Sequence, residues 1–337
     1  MSAVSMVTPT APVAGLPAML RLLGELLPDA QAIDAQAEAS LEMSAMAPPP
    51  ARLISATIIE GGELRARRVF EPPSVGLAAF LDGTQQSRIV FYTRMGAPIV
   101  QATVAAVVRD RRNQRLYTCD HVVWRRYYAP RACMADAHWR AITDAGFTLV
   151  DTTDVAAEEP VSDHPLALRE AAIHRVQKDR ELAEQSLAER WCRRPSGPLL
   201  IDGGISGTET VARSTCAIGV IKSHRTLYAM GDALAVVFGL GLAERSSVFL
   251  VTSPKRAPVA SWYLRIRDRQ GHDPMWGLVR VEVAVPDARA DAEVAERADE
   301  VSRWILAEVA PVALPDGRWD KMVYGVRDCE EFLRAVM

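Results

Sequence analysis

The sequence lacks long apolar runs and has few cysteines, and both absences exclude classes of protein. No apolar stretch approaches the roughly 18 residues that a membrane helix needs, and the most apolar one, 233–242, contains two glycines. The five cysteines form no CxxC pair, so neither a disulfide framework nor a zinc ribbon is predicted. The N-terminus lacks the charged and apolar segments of a secretory signal. We therefore expect a cytoplasmic protein with reduced thiols and no membrane segment.

Neither sign of charge dominates the chain. Lys and Arg together number 39 and Asp and Glu 42, which gives a net charge of −3. A nucleic-acid-binding surface would therefore have to be a local patch. The hydrophobic fraction of 49% excludes wholesale disorder and is enough for a substantial core. The sequence contains no GxxxxGKS phosphate-binding loop, so we do not expect it to hydrolyse ATP.

The N-terminal region differs in composition from the rest. Residues 1–14 carry no charged side chain and are typical of a flexible lead. Leucines at helical spacing predict a helical arm over 16–46, kinked at Pro28 and ended by three prolines. We therefore predict a lead and arm over 1–50 and one main domain over 51–337. The arm either packs on its own domain or docks on a partner, and we favour docking because 77–337 already supplies a sheet and long helices.

The main domain alternates between strand and helix patterns. Glycines 61 and 62 lie between two β-prone runs and predict a hairpin. Residues 77–124 predict a meander of antiparallel strands. Further along the chain the patterns predict a helix over 162–194, strands over 199–201, 216–222, 247–252, 261–268 and 277–285, and helices over 287–309 and 327–336.

Two segments, 79–84 and 199–204, share one design: an apolar strand that ends on Asp-Gly. A buried strand holds its last residue rigidly at the sheet edge, and two aspartates held there repel each other unless a cation lies between them. Hard Mg²⁺ and Mn²⁺ prefer such carboxylate oxygens. One Asp-Gly alone more often marks a turn. The pair, separated by a long helix, favours a metal site at Asp82 and Asp202.

The order of these motifs resembles the NurA family of DNA-end-processing nucleases. Strand–Asp82-Gly83, antiparallel strands, a long helix with carboxylates, strand–Asp202-Gly203 and a strand that leads to Lys222 follow one another over residues 75–337. The resemblance implies an α/β fold, with a ribonuclease H-like mixed sheet flanked by helices. It also implies a metal-dependent DNA nuclease with Mn²⁺ or Mg²⁺, two ions, and a homodimer working with a HerA-type hexameric ATPase that translocates DNA.

Three positions depart from the family pattern. Thr84 stands where Ser is usual, and Ile221 separates the Val and Lys that are adjacent in the family. No His follows Tyr324, where the family carries one on its last helix. The missing His favours an alternative function, a catalytically inactive NurA-like adaptor that binds the translocase ring or DNA.

The resemblance also names a helix glutamate as the third metal ligand. At about 100° per residue, Glu184 lies at the edge of the apolar stripe that contains Ala183, and Glu181 lies further round the helix. We prefer Glu184 and leave Glu181 open. Lys222 ends its strand beside the carboxylates, where it would hold the scissile phosphate.

Two clusters combine basic and aromatic residues and are candidate DNA contacts. The first contains Arg125, Arg126 and Tyr127, and the second contains Arg265 and Arg267 on a predicted strand. Either cluster alone is more often a solvated face.

Overall fold

The structure is a computed structural model that describes residues 15–29, 31–32, 50–153, 162–254, 256–286, 291–309 and 323–337. The chain divides into two compact units. The smaller unit comprises Met1–Ala47, Gln85–Ala105 and Val123–Arg180, and the larger comprises Pro48–Thr84, Ala106–Val122 and Glu181–Met337. This division differs from the predicted boundary after residue 50, because individual strands and helices contribute residues to both units.

The strands are β1 (Gln31–Ala32), β2 (Arg52–Leu53), β3 (Thr57–Ile58), β4 (Ala66–Arg68), β5 (Ala79–Tyr92), β6 (Pro98–Arg112), β7 (Arg115–Ala129), β8 (Leu149–Asp151), β9 (Leu199–Asp202), β10 (Ala217–Ile221), β11 (Thr226–Leu227), β12 (Glu244–Ser246), β13 (Phe249–Ser253), β14 (Arg256–Arg265) and β15 (Leu278–Val283). The helices are α1 (Leu16–Leu26), α2 (Asp136–Asp144), α3 (Pro165–Arg193), α4 (Glu209–Ala212), α5 (Asp232–Gly239), α6 (Asp291–Val309) and α7 (Tyr324–Val336).

A mixed sheet forms the centre of the larger unit. Its strands follow the order β3-β13-β14-β15-β10-β9-β5-β6-β7. Strand β9 is parallel to both β5 and β10, whereas β15 is antiparallel to β10 and β14. Strands β6 and β7 form a hairpin whose turn residues, Asn113 and Gln114, both have positive φ, as a two-residue turn of the primed type requires. The sheet and its flanking helices confirm the predicted α/β class, a mixed sheet flanked by helices.

Helices α6 and α7 cover one face of this sheet. The indole of Trp262 on β14 donates to Ser302 Oγ of α6 at 3.0 Å. Gly325 of α7 lies so close to Phe80 on β5 that an added Cβ would be 2.3 Å from the ring. None of the helices in the described part of the chain is long and apolar enough to span a bilayer.

A buried ion pair joins the start of the larger unit to its sheet. Both nitrogens of the Arg245 fork donate to the Glu60 carboxylate, at 2.7 and 3.0 Å, and Arg245 Nε donates to Asp299 at 2.5 Å. Glu60 and Arg245 are almost completely buried. The backbone N–H of Val248 also donates to Glu60, at 2.8 Å. Glu60 therefore organises strands from distant parts of the sequence around one buried charge.

The predicted hairpin around Gly61 and Gly62 is wrong. Both glycines have positive φ, as a turn requires, but the flanking strands do not pair with each other. Strand β3 pairs with β13, and β4 pairs with β12. The ion pairs of Glu60 with Arg67 and Arg245 hold the chain in this arrangement instead.

The smaller unit contains the remaining parts of β5, β6 and β7, with β8 beside β7 and β1 beside β5. Helix α1 ends at Leu26, and residues 31–32 form a strand, so the predicted single arm over 16–46 is wrong in extent. The part of that prediction over 33–46 lies outside the described residues. Met19 and Leu23 are fully buried in a core cluster with Phe91 and Ile142. Helix α1 thus packs on its own unit, and docking on a partner stays a prediction.

Replacing Glu60 by Ala leaves the charge of Arg245 buried without its bidentate partner. We expect the free energy of unfolding to fall by about 3–5 kcal/mol. The matched control is Glu63→Ala, because Glu63 pairs with Arg65 at 2.7 Å but both side chains are more than two-thirds exposed. The control should change stability by less than about 0.5 kcal/mol. Urea unfolding followed by circular dichroism measures both variants, and equal losses would contradict the assigned role of Glu60.

Truncating Leu23 to Ala tests the packing of α1. Leu23 is fully buried, so its loss should lower the free energy of unfolding by about 2–5 kcal/mol. Glu25→Ala on the exposed side of the same helix is the control and should have little effect. If Leu23→Ala melts like the wild type, α1 does not contribute to the core.

Candidate active site

Two parallel strands bring the predicted aspartates together. In the register of β5 and β9, Ala79 pairs with Leu199 and Leu81 with Ile201. The next residue on each strand is an aspartate, Asp82 on β5 and Asp202 on β9. Strand β9 ends there as predicted, whereas β5 continues to Tyr92, so the predicted strand end at Asp82 is wrong. Neighbouring strands lie about 4.8 Å apart, and paired residues point to the same face. The two carboxylates therefore start from adjacent positions on one face of the sheet, as the sequence predicts.

Apolar neighbours hold both strands rigidly. The three residues before Asp82 are fully buried, and those before Asp202 are at most 6% exposed. By the alternation of the strand, Asp82 shares its face with Phe80, the face that α7 covers. Asp82 is itself only 7% exposed. Its carboxylate is thus shielded from bulk water, and this burial destabilises the ionised form.

The environment of Asp82 favours a protonated carboxyl. Burial raises its pKa from 3.8 to about 8, and the nearby charge of Asp202 and, more weakly, that of Glu184 act in the same direction. Lys222 opposes this rise in pKa, as does the backbone N–H of Gly83, which donates to Asp82 Oδ1 at 2.8 Å. If all three carboxyl groups ionised, their negative charge would therefore exceed what Lys222 compensates.

Lys222 lies among the acidic side chains of the site. It follows the last residue of β10, the strand parallel to β9. Its Nζ donates to Asp202 Oδ2 at 2.9 Å, and about a fifth of each side chain is exposed. Lys222 thus lies beside Asp202, and its contact with a phosphate stays a prediction.

Glu184 is the helix glutamate that lies against Gly83 of β5. A Cβ added to Gly83 would lie 2.3 Å from Glu184 Oε1. The Glu184 carboxylate thus occupies the space that a side chain at position 83 would take. Glu181 precedes Glu184 by one helical turn and is partly buried. Because Glu184 acts on the pKa of Asp82, it is the better candidate ligand.

This donor set fits a hard divalent cation in its chemistry but is not arranged for one in advance. Three carboxylates are the ligands that Mg²⁺ and Mn²⁺ prefer. Among the residues that the structure describes, no three side chains of His, Cys, Asp or Glu form a ready-made cation site. Asp82, Asp202 and Glu184 would be the residues to hold a cation, and Lys222 already contacts Asp202.

Glu282 supports the site and was missed in the sequence. This residue of β15 is buried, and it accepts a hydrogen bond from the backbone N–H of Ile205 at 2.9 Å. Arg280 pairs with it at 2.7 Å. Together they hold the loop that follows Asp202, where Gly203 has a φ of 141°. The available signal was the pair of charged residues inside an otherwise apolar strand.

Two of the predicted DNA contacts are buried, and that prediction is wrong for them. Tyr127 is 3% exposed, and its ring meets Phe147 edge-on. Arg265 is fully buried, and burial lowers its pKa to about 10. The Arg265 guanidinium donates to four backbone carbonyls, those of Phe238, Leu240, Pro274 and Trp276.

The other three predicted contacts differ from one another. Arg126 pairs with the buried Asp179 at 2.6 Å, so its charge is used within the protein. Arg267 is partly buried and donates to the carbonyl of Val309. Arg125 is exposed, and it is the member of the two clusters best placed to meet a phosphate.

The raised pKa of Asp82 predicts a pH dependence of stability in chelator. Between about pH 4 and pH 8 the folded protein keeps a proton that the unfolded chain has lost, so stability should fall as pH rises through this range. Asp82→Asn cannot ionise, although its amide oxygen can still accept from Gly83. Its stability relative to the wild type should rise from pH 4 to pH 8. Urea unfolding at a series of pH values in EDTA measures the difference, and a constant offset would contradict the assignment.

Comparison with known proteins gives likenesses to two nucleases. No protein-family model matches the chain, and no curated protein matches its sequence. The structure is similar to the NurA nuclease from Sulfolobus solfataricus, with 11% identity, a TM-score of 0.44, and coverage of 78% of this chain and 81% of that one. It is also similar to the catalytic domain of human endonuclease V, with 15% identity, a TM-score of 0.30, and coverage of 85% and 89%. What this chain does has to be inferred from its own site.

Proposed function

We propose that the protein is a divalent-metal-dependent deoxyribonuclease that hydrolyses phosphodiester bonds. One observation carries the proposal: Asp82 and Asp202 lie side by side on the neighbouring parallel strands β5 and β9, with Glu184 against Gly83 and Lys222 on Asp202. Hydrolysis of a phosphodiester needs ligands for a cation and a positive group for the phosphate at one place. This arrangement provides both.

The residues of the site take separate roles in this proposal. Asp82, Asp202 and Glu184 would hold Mn²⁺ or Mg²⁺, two ions in the full site. When bound, such ions activate a water and neutralise charge on the phosphate. Asp82 gives up its proton to become a ligand. Lys222 exchanges its contact with Asp202 for an oxygen of the scissile phosphate, where its point charge stabilises the phosphoryl group.

The resemblance to NurA extends the proposal to partners. The protein would process or degrade DNA ends as a homodimer, together with a HerA-type hexameric ATPase. The sequence has no ATP-binding loop of its own, which fits such a division of labour. Arg125, exposed on β7, is the basic residue we assign to the DNA surface.

A catalytically inactive adaptor that binds DNA or the translocase ring is the second candidate. The ion pair between Lys222 and Asp202, 2.9 Å long, favours it, because one of the two central carboxylates is already compensated. The lack of a preformed three-ligand cluster among the described residues points the same way. Metal-dependent cleavage separates the two candidates.

The two helix glutamates provide a matched test. Glu184→Gln removes a metal ligand, and we expect plasmid cleavage in Mn²⁺ to fall by about a hundred-fold or more, since even groups behind the ligands are worth about 10–100-fold. Glu181→Gln changes the same residue type one turn away on the same helix and should cleave at a rate close to that of the wild type. Calorimetric titration with Mn²⁺ should show the same order of loss in affinity.

Four outcomes distinguish the hypotheses. Loss of cleavage in Glu184→Gln alone supports the assigned ligand set, whereas loss in Glu181→Gln alone transfers the ligand role to Glu181. A wild type that binds DNA but cleaves with neither Mn²⁺ nor Mg²⁺ supports the adaptor. Equal cleavage by the wild type, Glu184→Gln and Asp202→Asn would refute the site.

A further inference from the structure

Two cysteines outside the candidate active site lie next to each other. Cys192 is in the last turn of α3, and Cys216 immediately precedes β10. Their sulfur atoms are 3.9 Å apart and hydrogen-bonded, although the residues are separated by 24 positions in the sequence. Ser214 Oγ lies 3.1 Å from the sulfur of Cys216. Both thiols are reduced, and both are partly exposed.

Cys216 lines a cavity that a small polar molecule can enter. The cavity has a volume of about 640 Å³, and its wall includes Arg213, Glu293 and Arg297. The guanidinium of Arg297 donates to the carbonyl of Thr215 at 2.8 Å, which fixes a cation beside Cys216. A thiol next to a fixed cation and open to solvent is in the environment of a reactive cysteine.

The contacts assign different roles to the two thiols. The hydrogen bond with Cys192 lowers the pKa of Cys216 to about 6, with Ser214 and Arg297 acting in the same direction and burial opposing them. The pKa of Cys192 is raised, chiefly by its bond to Cys216 and by burial. Either thiol can donate to the other, but once Cys216 ionises Cys192 must be the donor. Cys216 is thus the nucleophile, and Cys192 is the thiol that resolves it.

We propose that Cys192 and Cys216 form a dithiol that a hydroperoxide oxidises reversibly to a disulfide. The thiolate of Cys216 attacks one peroxide oxygen, the O–O bond breaks, and Cys216 becomes a sulfenic acid as hydroxide leaves. The sulfur of Cys192 then attacks the sulfenic sulfur, an S–S bond forms, and water leaves with the proton of Cys192. Two thiols lose two electrons, and the peroxide is reduced to water. Side-chain rotation has to bring the sulfurs from 3.9 Å to about 2.05 Å.

The bond would constrain the segment that carries the candidate active site. It joins the end of α3, the helix of Glu184, to the start of β10, the strand that leads to Lys222. The enclosed loop contains β9 and therefore Asp202. A crosslink of this kind restricts the unfolded chain most strongly over the loop it closes. The dithiol is independent of the proposed nuclease function, and its test uses no DNA.

Oxidation of the whole reduced protein by a few equivalents of hydrogen peroxide tests the proposal. After alkylation of the remaining thiols, peptide mapping should find Cys192 linked to Cys216 before the exposed Cys119 is modified. The intact mass should fall by two hydrogen atoms, and dithiothreitol should restore it. The proposal is overturned if Cys216 reacts no faster than Cys119, or if it forms a sulfinic acid without a link to Cys192.

Single variants test the two roles separately. Cys192→Ser should accumulate a sulfenic acid at Cys216 that dimedone traps, whereas Cys216→Ser should leave Cys192 as slow to react as Cys119. Cys119→Ser is the control and should form the disulfide at the rate of the wild type. Trapping at Cys192 in Cys216→Ser would reverse the assigned roles and contradict the proposal. The mapping of the wild type stands even if a variant fails to fold.

Discussion

The site depends on one constraint, the repulsion of two carboxylates at adjacent positions of parallel strands. Asp82 and Asp202 cannot move apart, because each follows three buried apolar residues in a register fixed by the sheet. The remaining contacts of the site compensate this charge. Lys222 meets one carboxylate, the Gly83 N–H meets the other, and a proton remains on Asp82 over much of the physiological range. A bound metal cation would compensate this negative charge in place of Lys222, the Gly83 N–H and the proton.

Buried arginines perform two different tasks in the larger unit. Arg245 pairs with carboxylates, whereas the Arg265 guanidinium donates to four backbone carbonyls. The planar fork of arginine makes both possible, because its five donors can reach several fixed acceptors at once. In Arg265 these acceptors include the carbonyls of Phe238 and Leu240 at the end of α5, which have no partner inside the helix. Arginine therefore forms internal structural links in this chain as well as contributing surface charge.

The sequence predicted those features that depend on neighbouring residues. The short apolar runs before Asp82 and Asp202 identify buried strands, and the apolar stripe of α6 identifies its covered face. The pairing of β5 with β9 followed only from the order of motifs. The errors concern residues whose partners lie far away in the chain. Nothing near Arg265 indicates the carbonyls that bury it, and nothing near Gly61 indicates that its flanking strands pair elsewhere.

The contact between Gly83 and Glu184 shows how the lack of a side chain at one residue can set the distance between a helix and a strand. Without a Cβ at position 83, the carboxylate of Glu184 rests directly against the strand backbone. The depth at which this part of α3 lies on the sheet is therefore limited by a single missing methyl group. A methyl group there would act as a spacer, lifting one ligand outward while every charge stayed the same. The spacing of the ligands in such a site can thus change separately from their chemistry.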